Sequence, residues 1–215
     1  RMNSQVFVEK DFGAQSFLRL TGGKQKLLAK LIELLPASIA HFRYIEPFFG
    51  GGSLFFALTP KGATVNDANT LLMDMYRFIQ DDPATVHDEL LTLAKQHGEA
   101  FYYQVRSSFN RMHPSHKKAA QLVYLNRACF NGVFRVNVKS EFNVPWGKKP
   151  RVTTPSLATL KHAANMFSDC ELLNQDFAEV LSDVGKDTFV YFDPPYLPLD
   201  ETAFFHHYTW PRFSF

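Results

Sequence analysis

The sequence predicts an α/β fold: an open, doubly wound parallel sheet interrupted by a helical insert between its second and third strands. Three observations predict it. Short apolar strands alternate with helical periodicity over residues 24–80, and again over 155–192. The strands at 41–48, 64–66 and 188–192 each run into an acidic residue beside glycine-, asparagine- or proline-rich sequence. Between 81 and 130 the alternation stops and only helical periodicity remains.

In chain order, Leu27, Leu28, Leu31, Ile32, Leu34 and Leu35 recur at helical spacing over 24–35, and Pro36 stops that helix. Residues 41–48 read as a buried strand ending at Pro47, followed by the glycine-rich turn EPFFGGGS. A short helix follows at 54–58, a second strand at 64–66 ending in Asp67, and a helix at 69–80. Residues 83–96, 100–112 and 117–130 are then helical, and 131–149 is a loop or β-ribbon rich in Asn, Gly and Pro. A helix at 155–167, a strand at 170–174, a helix at 177–184 and a strand at 188–192 ending in Asp193 complete the alternation. This divides the chain into an α/β part, 1–80 with 152–215, and an insert, 81–151.

A chain of 215 residues suffices for one substantial domain with such an insert. No leader of charged then apolar residues opens it, and no apolar stretch approaches the roughly 20 residues that span a bilayer. The expectation is a soluble, cytoplasmic protein with no membrane partner. Cys129 and Cys170 lie in no CxxC or Cys/His cluster, so neither a disulfide framework nor a metal site is expected. The net charge of +2 conceals an asymmetry. Residues 100–151 hold ten Lys or Arg against the single acid Glu141. So biased a segment repels itself unless it meets a polyanion, and phosphate neutralisation is the evident gain.

The chemistry sits at the strand ends. In EPFFGGGS, three consecutive glycines let the chain turn sharply and let a ligand approach the main chain. The spacing is neither GxGxxG nor GxxxxGK[ST], so it indicates neither a nicotinamide nor a nucleoside triphosphate. Glu46 suits a cationic ligand group better than a pyrophosphate, and Asp67 sits where ribose hydroxyls are held. A nucleoside with a cationic amino-acid tail satisfies both, and S-adenosylmethionine has that shape. In DPPY, Pro195 forces Pro194 into an extended conformation, and both prolines fix φ. The Asp193 carboxylate and the Pro194 carbonyl can each accept one hydrogen of an exocyclic aromatic amine. Held off the ring plane, those hydrogens favour a pyramidal nitrogen whose lone pair faces an electrophile. Tyr196 supplies a flat face for the base, and transfer then depends on orientation and exclusion of water.

Taken together, these residues resemble a Dam-type, α-group DNA adenine-N6 methyltransferase. FLRLTGGKQKLL is similar to that family's amino-terminal motif, with Leu20 at a position where the family carries Trp. EPFFGGGS resembles its cofactor-binding motif, VNDAN its acidic motif and NQDF a further cofactor motif. NRACFNGVFRVNVKSEFNVPWG resembles its DNA-recognition hairpin, and DPPYLPL its catalytic motif. The resemblance implies a Rossmann-like S-adenosylmethionine-dependent methyltransferase sheet and S-adenosylhomocysteine as product. It implies a cofactor site of Leu20, Gly22, Gly23, Lys24, Glu46, Pro47, Phe48, Gly50, Gly51, Gly52, Ser53, Asp67, Asp176 and Phe177. Asp193, Pro194, Pro195 and Tyr196 are the implied catalytic residues. For double-stranded DNA it implies contacts from Arg106, Arg127, Phe130, Asn131, Gly132, Arg135, Asn137, Lys139, Asn143 and Pro145. Among these, Phe130 wedges into the base stack, Asn131 meets the orphaned partner base and Arg135 reads a guanine, while Phe142 and Trp146 pack the hairpin. GATC is the implied target, in a bacterial or phage-encoded, nucleoid-associated protein. Members of the family continue past the segment that ends here at Phe215, so the resemblance also implies missing carboxyl-terminal strands. The alternative function is a truncated, catalytically weak DNA-binding module that keeps the scaffold.

Overall fold

The computed structural model describes residues 7–8, 18, 27–36, 38–182 and 184–195. Strand β1 (Phe7–Val8) and helix α1 (Leu28–Glu33) precede the sheet proper. Then follow β2 (Arg43–Glu46), α2 (Ser53–Leu58), β3 (Thr64–Asn66) and α3 (Thr70–Asp81). Helices α4 (Pro83–Lys95), α5 (Glu99–Arg111) and α6 (His116–Ala128) come next. The chain returns through β4 (Thr153–Thr154), α7 (Leu157–Phe167), β5 (Glu171–Leu173), α8 (Phe177–Val180) and β6 (Thr188–Val190).

The central sheet has the order β5-β3-β2-β6, and every pair is parallel. Its two middle strands are buried almost throughout, as strands covered on both faces must be. From β2 the chain moves to β3 and β5 on one side and comes back to β6 on the other. That reversal opens a crevice at the carboxyl ends of β2 and β6, where open α/β sheets hold their ligands.

Polar side chains set the starts of α3, α4, α6, α7 and α8. Asn69 caps α3 through Leu72 N–H, and Asp82 caps α4 through the N–H groups of Ala84 and Thr85, with Pro83 in the first turn. Ser115 and Ser156 do the same for α6 and α7. Helix α6 is buried on every side from Ala119 to Ala128 and packs on α3, α4 and α5. A helix enclosed all round belongs to the core. One apolar cluster accordingly runs from Phe49, Phe55 and Phe56 at the sheet through Tyr76 and Phe167 to Tyr124 and Phe142.

Several elements are shorter than their periodicity predicts. Residues 39–41 form a 3-10 turn, bonded back to Pro36 and Ser38, so β2 begins at Arg43 rather than 41. Helix α8 ends at Val180 and β6 at Val190. The parallel pair β1–β4 carries too few residues to leave a sequence period. Phe130–Gly132 form a 3-10 turn, and the segment to 149 is a ribbon with an antiparallel bridge Val136↔Phe142 and a second, Cys129↔Trp146, at its base. The predicted start of the first helix at Lys24, and everything after Pro195, lie outside the described residues. Among the described residues no helix is long and apolar enough to cross a membrane.

Candidate active site

Because the sheet is parallel, the acidic residues that end its strands share one edge. Glu46 closes β2, Asp67 follows β3, and Asp193 lies three residues beyond β6. Tyr191 makes the last ladder bond, donating its N–H to Ile45 O at 2.9 Å, and the chain then leaves the sheet as Asp193-Pro194-Pro195. Glu46 is only 3% exposed. Burial pushes its pKa well above the ordinary carboxylate range, and the nearby charges of Asp193 and Asp67 push the same way. The hydroxyl of Tyr44, two residues back on the same strand face, donates to Glu46 Oε2 at 2.7 Å and opposes the shift. Tyr191 is raised to about 12, first by burial and then by the charges of Asp193 and Glu46.

The glycine turn is locked to this edge. Gly50 and Gly52 take positive φ, 49° and 63°. Gly50 N–H donates to Asp67 Oδ2 at 2.8 Å, its carbonyl accepts from Tyr76 OH at 2.8 Å, and Phe49 N–H donates to Asn66 O at 2.8 Å. Asp67 Oδ1 accepts from Asn69 N–H at 2.9 Å. Burial raises the pKa of Asp67, and the two N–H donors pull it back. Each of its oxygens keeps a lone pair for a ligand hydroxyl.

Asn66, 1% exposed, joins three strand ends. Its Nδ2 donates to Pro47 O and Gln175 O, at 3.0 and 3.1 Å, while its Oδ1 accepts from Gln175 N–H at 2.9 Å. Asn174 Nδ2 adds a bond to Asp67 O at 2.8 Å. These bonds bring Asp176 and Phe177 to the edge. Asp176 is exposed and caps α8 through Ala178 N–H. Phe177 packs 5.2 Å from Phe48, and Phe192 meets both, at 5.0 Å from Phe48 and 6.0 Å from Phe177. Buried and neighbouring carboxylates beside an aromatic trio fit a ligand with a positive centre and a flat ring. The ammonium, sulfonium and adenine of S-adenosylmethionine are such groups.

The predicted cofactor residues Glu46, Pro47, Phe48, Gly50, Gly51, Gly52, Ser53, Asp67, Asp176 and Phe177 thus lie on or next to one edge. Leu20, Gly22, Gly23, Lys24 and Tyr196 lie outside the described residues.

The predicted DNA-contacting residues divide. Phe130 is 55% exposed, and Asn131, Arg135, Lys139 and Pro145 are exposed as well. Arg127, expected at the surface, is instead 4% exposed inside the helical core, and Gly132 is also buried. Arg106 lies against the ribbon. Its Nη1 donates to Val144 O at 2.9 Å and its guanidinium covers the Tyr103 ring at 4.8 Å. The Asn137 side chain closes the ribbon tip, accepting from the N–H groups of Lys139 and Glu141 and donating to Glu141 Oε2. Asn143 Oδ1 accepts from Arg135 Nε at 2.8 Å. Phe142 is buried against Phe109 and Phe134, as a packing residue should be.

Sequence reading missed Tyr44, Asn66, Tyr76 and Phe192 at the sheet edge, and Tyr102 and Asn110 under the ribbon. Tyr44 was legible, since alternation puts it on the face of Glu46. Asn66 carried a weaker signal, a carboxamide closing a strand too buried to leave it unbonded.

A sequence model of the D12 class N6 adenine-specific DNA methyltransferases matches residues 21–214. The chain is 36% identical over 206 residues to the type II methyltransferase M1.LlaDCHI of Lactococcus lactis subsp. cremoris, covering 93% of this chain and 72% of that protein. It is 37% identical over 212 residues to the type II methyltransferase M.MjaIII of Methanocaldococcus jannaschii, covering 90% and 73%. To the DNA adenine methylase of Escherichia coli K12 it is 32% identical over 197 residues, covering 90% and 69%.

Proposed function

The chain belongs to the D12 class N6 adenine-specific DNA methyltransferases, and from that premise we propose that it methylates N6 of an adenine flipped out of duplex DNA, within GATC. The convergence of Glu46, Asp67 and Asp193 at one sheet edge, beside the glycine turn, is the observation that carries this reading. When bound, S-adenosylmethionine supplies an electrophilic methyl group and leaves as S-adenosylhomocysteine. Glu46 binds the cationic end of the cofactor, Asp67 its ribose, and Phe48 and Phe177 its adenine, with Leu20, Gly22, Gly23 and Lys24 completing the site. Asp193 and the Pro194 carbonyl each accept one N6 hydrogen, turning the nitrogen lone pair out of the ring plane. Tyr196 stacks on the extruded base.

Residues 81–151 form the target-recognition part. Exposed Arg111, Lys117, Lys139 and Lys148 meet phosphates and hold the duplex in register. Flipping costs a few kcal/mol of unstacking. Phe130, exposed at the base of the ribbon, offsets part of that by filling the vacated space, and Asn131 meets the partner base. Arg135 reads guanine with its two terminal nitrogens. DNA as substrate places the protein at the nucleoid.

Incubation with S-adenosylmethionine carrying a labelled methyl group and a GATC duplex tests the reading. Label recovered as N6-methyladenine after nucleoside digestion supports it. Label on cytosine N4, or salt-sensitive DNA binding without product, refutes it, the latter in favour of a non-catalytic module.

A further inference from the structure

We infer that Asn110, on helix α5, is a positioning residue for base readout, holding the recognition ribbon so that Asn143 aims Arg135. The inference rests on the reading of Arg135 as a base contact.

Val136 and Phe142 face each other across the ribbon. On either side of that pair, Asn137 N–H bonds Glu141 O at 2.9 Å and Asn143 N–H bonds Arg135 O at 3.2 Å. In such an antiparallel arrangement the N–H and C=O of Phe142 itself point out of the ribbon. Asn110 meets both. Its Oδ1 accepts from Phe142 N–H at 2.8 Å and its Nδ2 donates to Phe142 O at 3.0 Å. A carboxamide presents one donor and one acceptor side by side, so it closes a strand edge as a neighbouring peptide would.

The next outward-facing group, Val144 O, accepts from Tyr102 OH at 2.8 Å and Arg106 Nη1 at 2.9 Å. Residues 102, 106 and 110 are spaced by four and line one face of α5. The helix thereby acts as a third strand for the ribbon. A two-stranded ribbon is marginal alone, so these bonds, together with the packing of Phe142 on Phe109 and Phe134, set where its backbone sits.

Asn143 lies between the two clamped residues. Its Oδ1 holds Arg135 Nε at 2.8 Å, and among the described residues no other bond reaches the Arg135 side chain. With Nε occupied, Nη1 and Nη2 remain as a two-pronged donor, the geometry that reads O6 and N7 of guanine. A displacement of 142–144 swings Asn143 and turns that fork.

The test compares wild type, Asn110→Ala, Tyr102→Phe and Arg135→Ala as full chains. Each methylates plasmid DNA, and sequencing of N6-methyladenine gives the base preference at every position around the modified site. Melting temperature and cofactor Kd are measured in parallel. Arg135→Ala relaxes preference at one position by roughly 5- to 150-fold, the worth of one bidentate base contact. Asn110→Ala relaxes the same position by roughly fivefold or more, with cofactor Kd unchanged, because the cofactor edge lies on the sheet. Tyr102→Phe keeps its ring and loses one bond to Val144 O; it relaxes that position less, and carries the test should Asn110→Ala not fold. Lower melting temperature with full preference retained in both α5 variants overturns the inference and leaves Arg135 as reader. Preference retained in Arg135→Ala, or no methylation by wild type, overturns the parent reading and this inference with it.

Discussion

The substitution Gly52→Ala puts the geometry of the glycine turn to a quantitative test. Gly52 sits at φ +63°, and a Cβ built there would lie 2.5 Å from Phe49 Cζ and 2.7 Å from Cε2. The Phe49 ring cannot swing aside. It is 2% exposed and packs at 5.4 Å from Phe55, 5.1 Å from Tyr76 and 6.1 Å from Phe167. Two costs therefore combine: about 1–2 kcal/mol for a left-handed alanine, and about 1–3 kcal/mol for overpacking. Gly62 separates them, since its φ is +60° and a Cβ there meets nothing within 4 Å. Gly62→Ala incurs the backbone cost alone, and any loss of unfolded-chain entropy is common to both variants. Urea unfolding is expected to show Gly52→Ala less stable than Gly62→Ala by about 1–3 kcal/mol, or roughly 2–12 °C in Tm. Equal stabilities would mean that the turn yields, and that its glycines do not hold Asp67 and Glu46 in register through packing.

Glu46→Gln replaces a buried carboxyl whose ionisation is opposed by burial and by its acidic neighbours. Between the ordinary carboxylate range and the raised value, folded wild type binds the extra proton, so its stability falls as pH rises through that window. The variant is expected to lack this decline, so its Tm gains on wild type from pH 5 to pH 8; parallel curves refute the burial argument. The same variant is expected to bind S-adenosylmethionine roughly 10- to 150-fold more weakly by calorimetry, the worth of a hydrogen bond to a charged group. Asp193→Ala is expected to lower methyl transfer by roughly 10²–10³ in kcat, as loss of one preorganised polar contact does, with cofactor Kd nearly unchanged; loss of cofactor binding instead would put Asp193 in the cofactor site. Cys170, half-buried with its pKa pushed up to about 11 by burial, is expected to react slowly with a thiol reagent at pH 7.5, its rate rising about tenfold per pH unit. A pH-independent rate refutes the assignment.

Much of the sheet edge was legible because strand-end chemistry is local. Proline, glycine and aspartate directly after a short apolar run mark where a parallel strand stops, and Thr64–Asn66 was bounded correctly on that basis. Termini at Arg43, Val180 and Val190 were not legible, since they depend on when the chain leaves a neighbouring strand rather than on its own period.

The ribbon shows the other limit. Ten cations between 100 and 151 read alike as surface charge. Arg127 falls within the stretch of α6 that three other helices enclose, and Arg106 lies on the α5 face that meets the ribbon backbone. Charge is a property of a residue, whereas exposure is a property of the helices around it. What the sequence by itself determined was the order of strand, turn and helix and the acidic residue at each strand end, because backbone restriction and periodicity act over a few residues. Only the tertiary structure decided that Glu46, Asp67 and Asp193 share one edge, and that Asn110 closes the edge of a ribbon 32 residues further on. Those outcomes depend on strand order and helix packing, which no local pattern encodes.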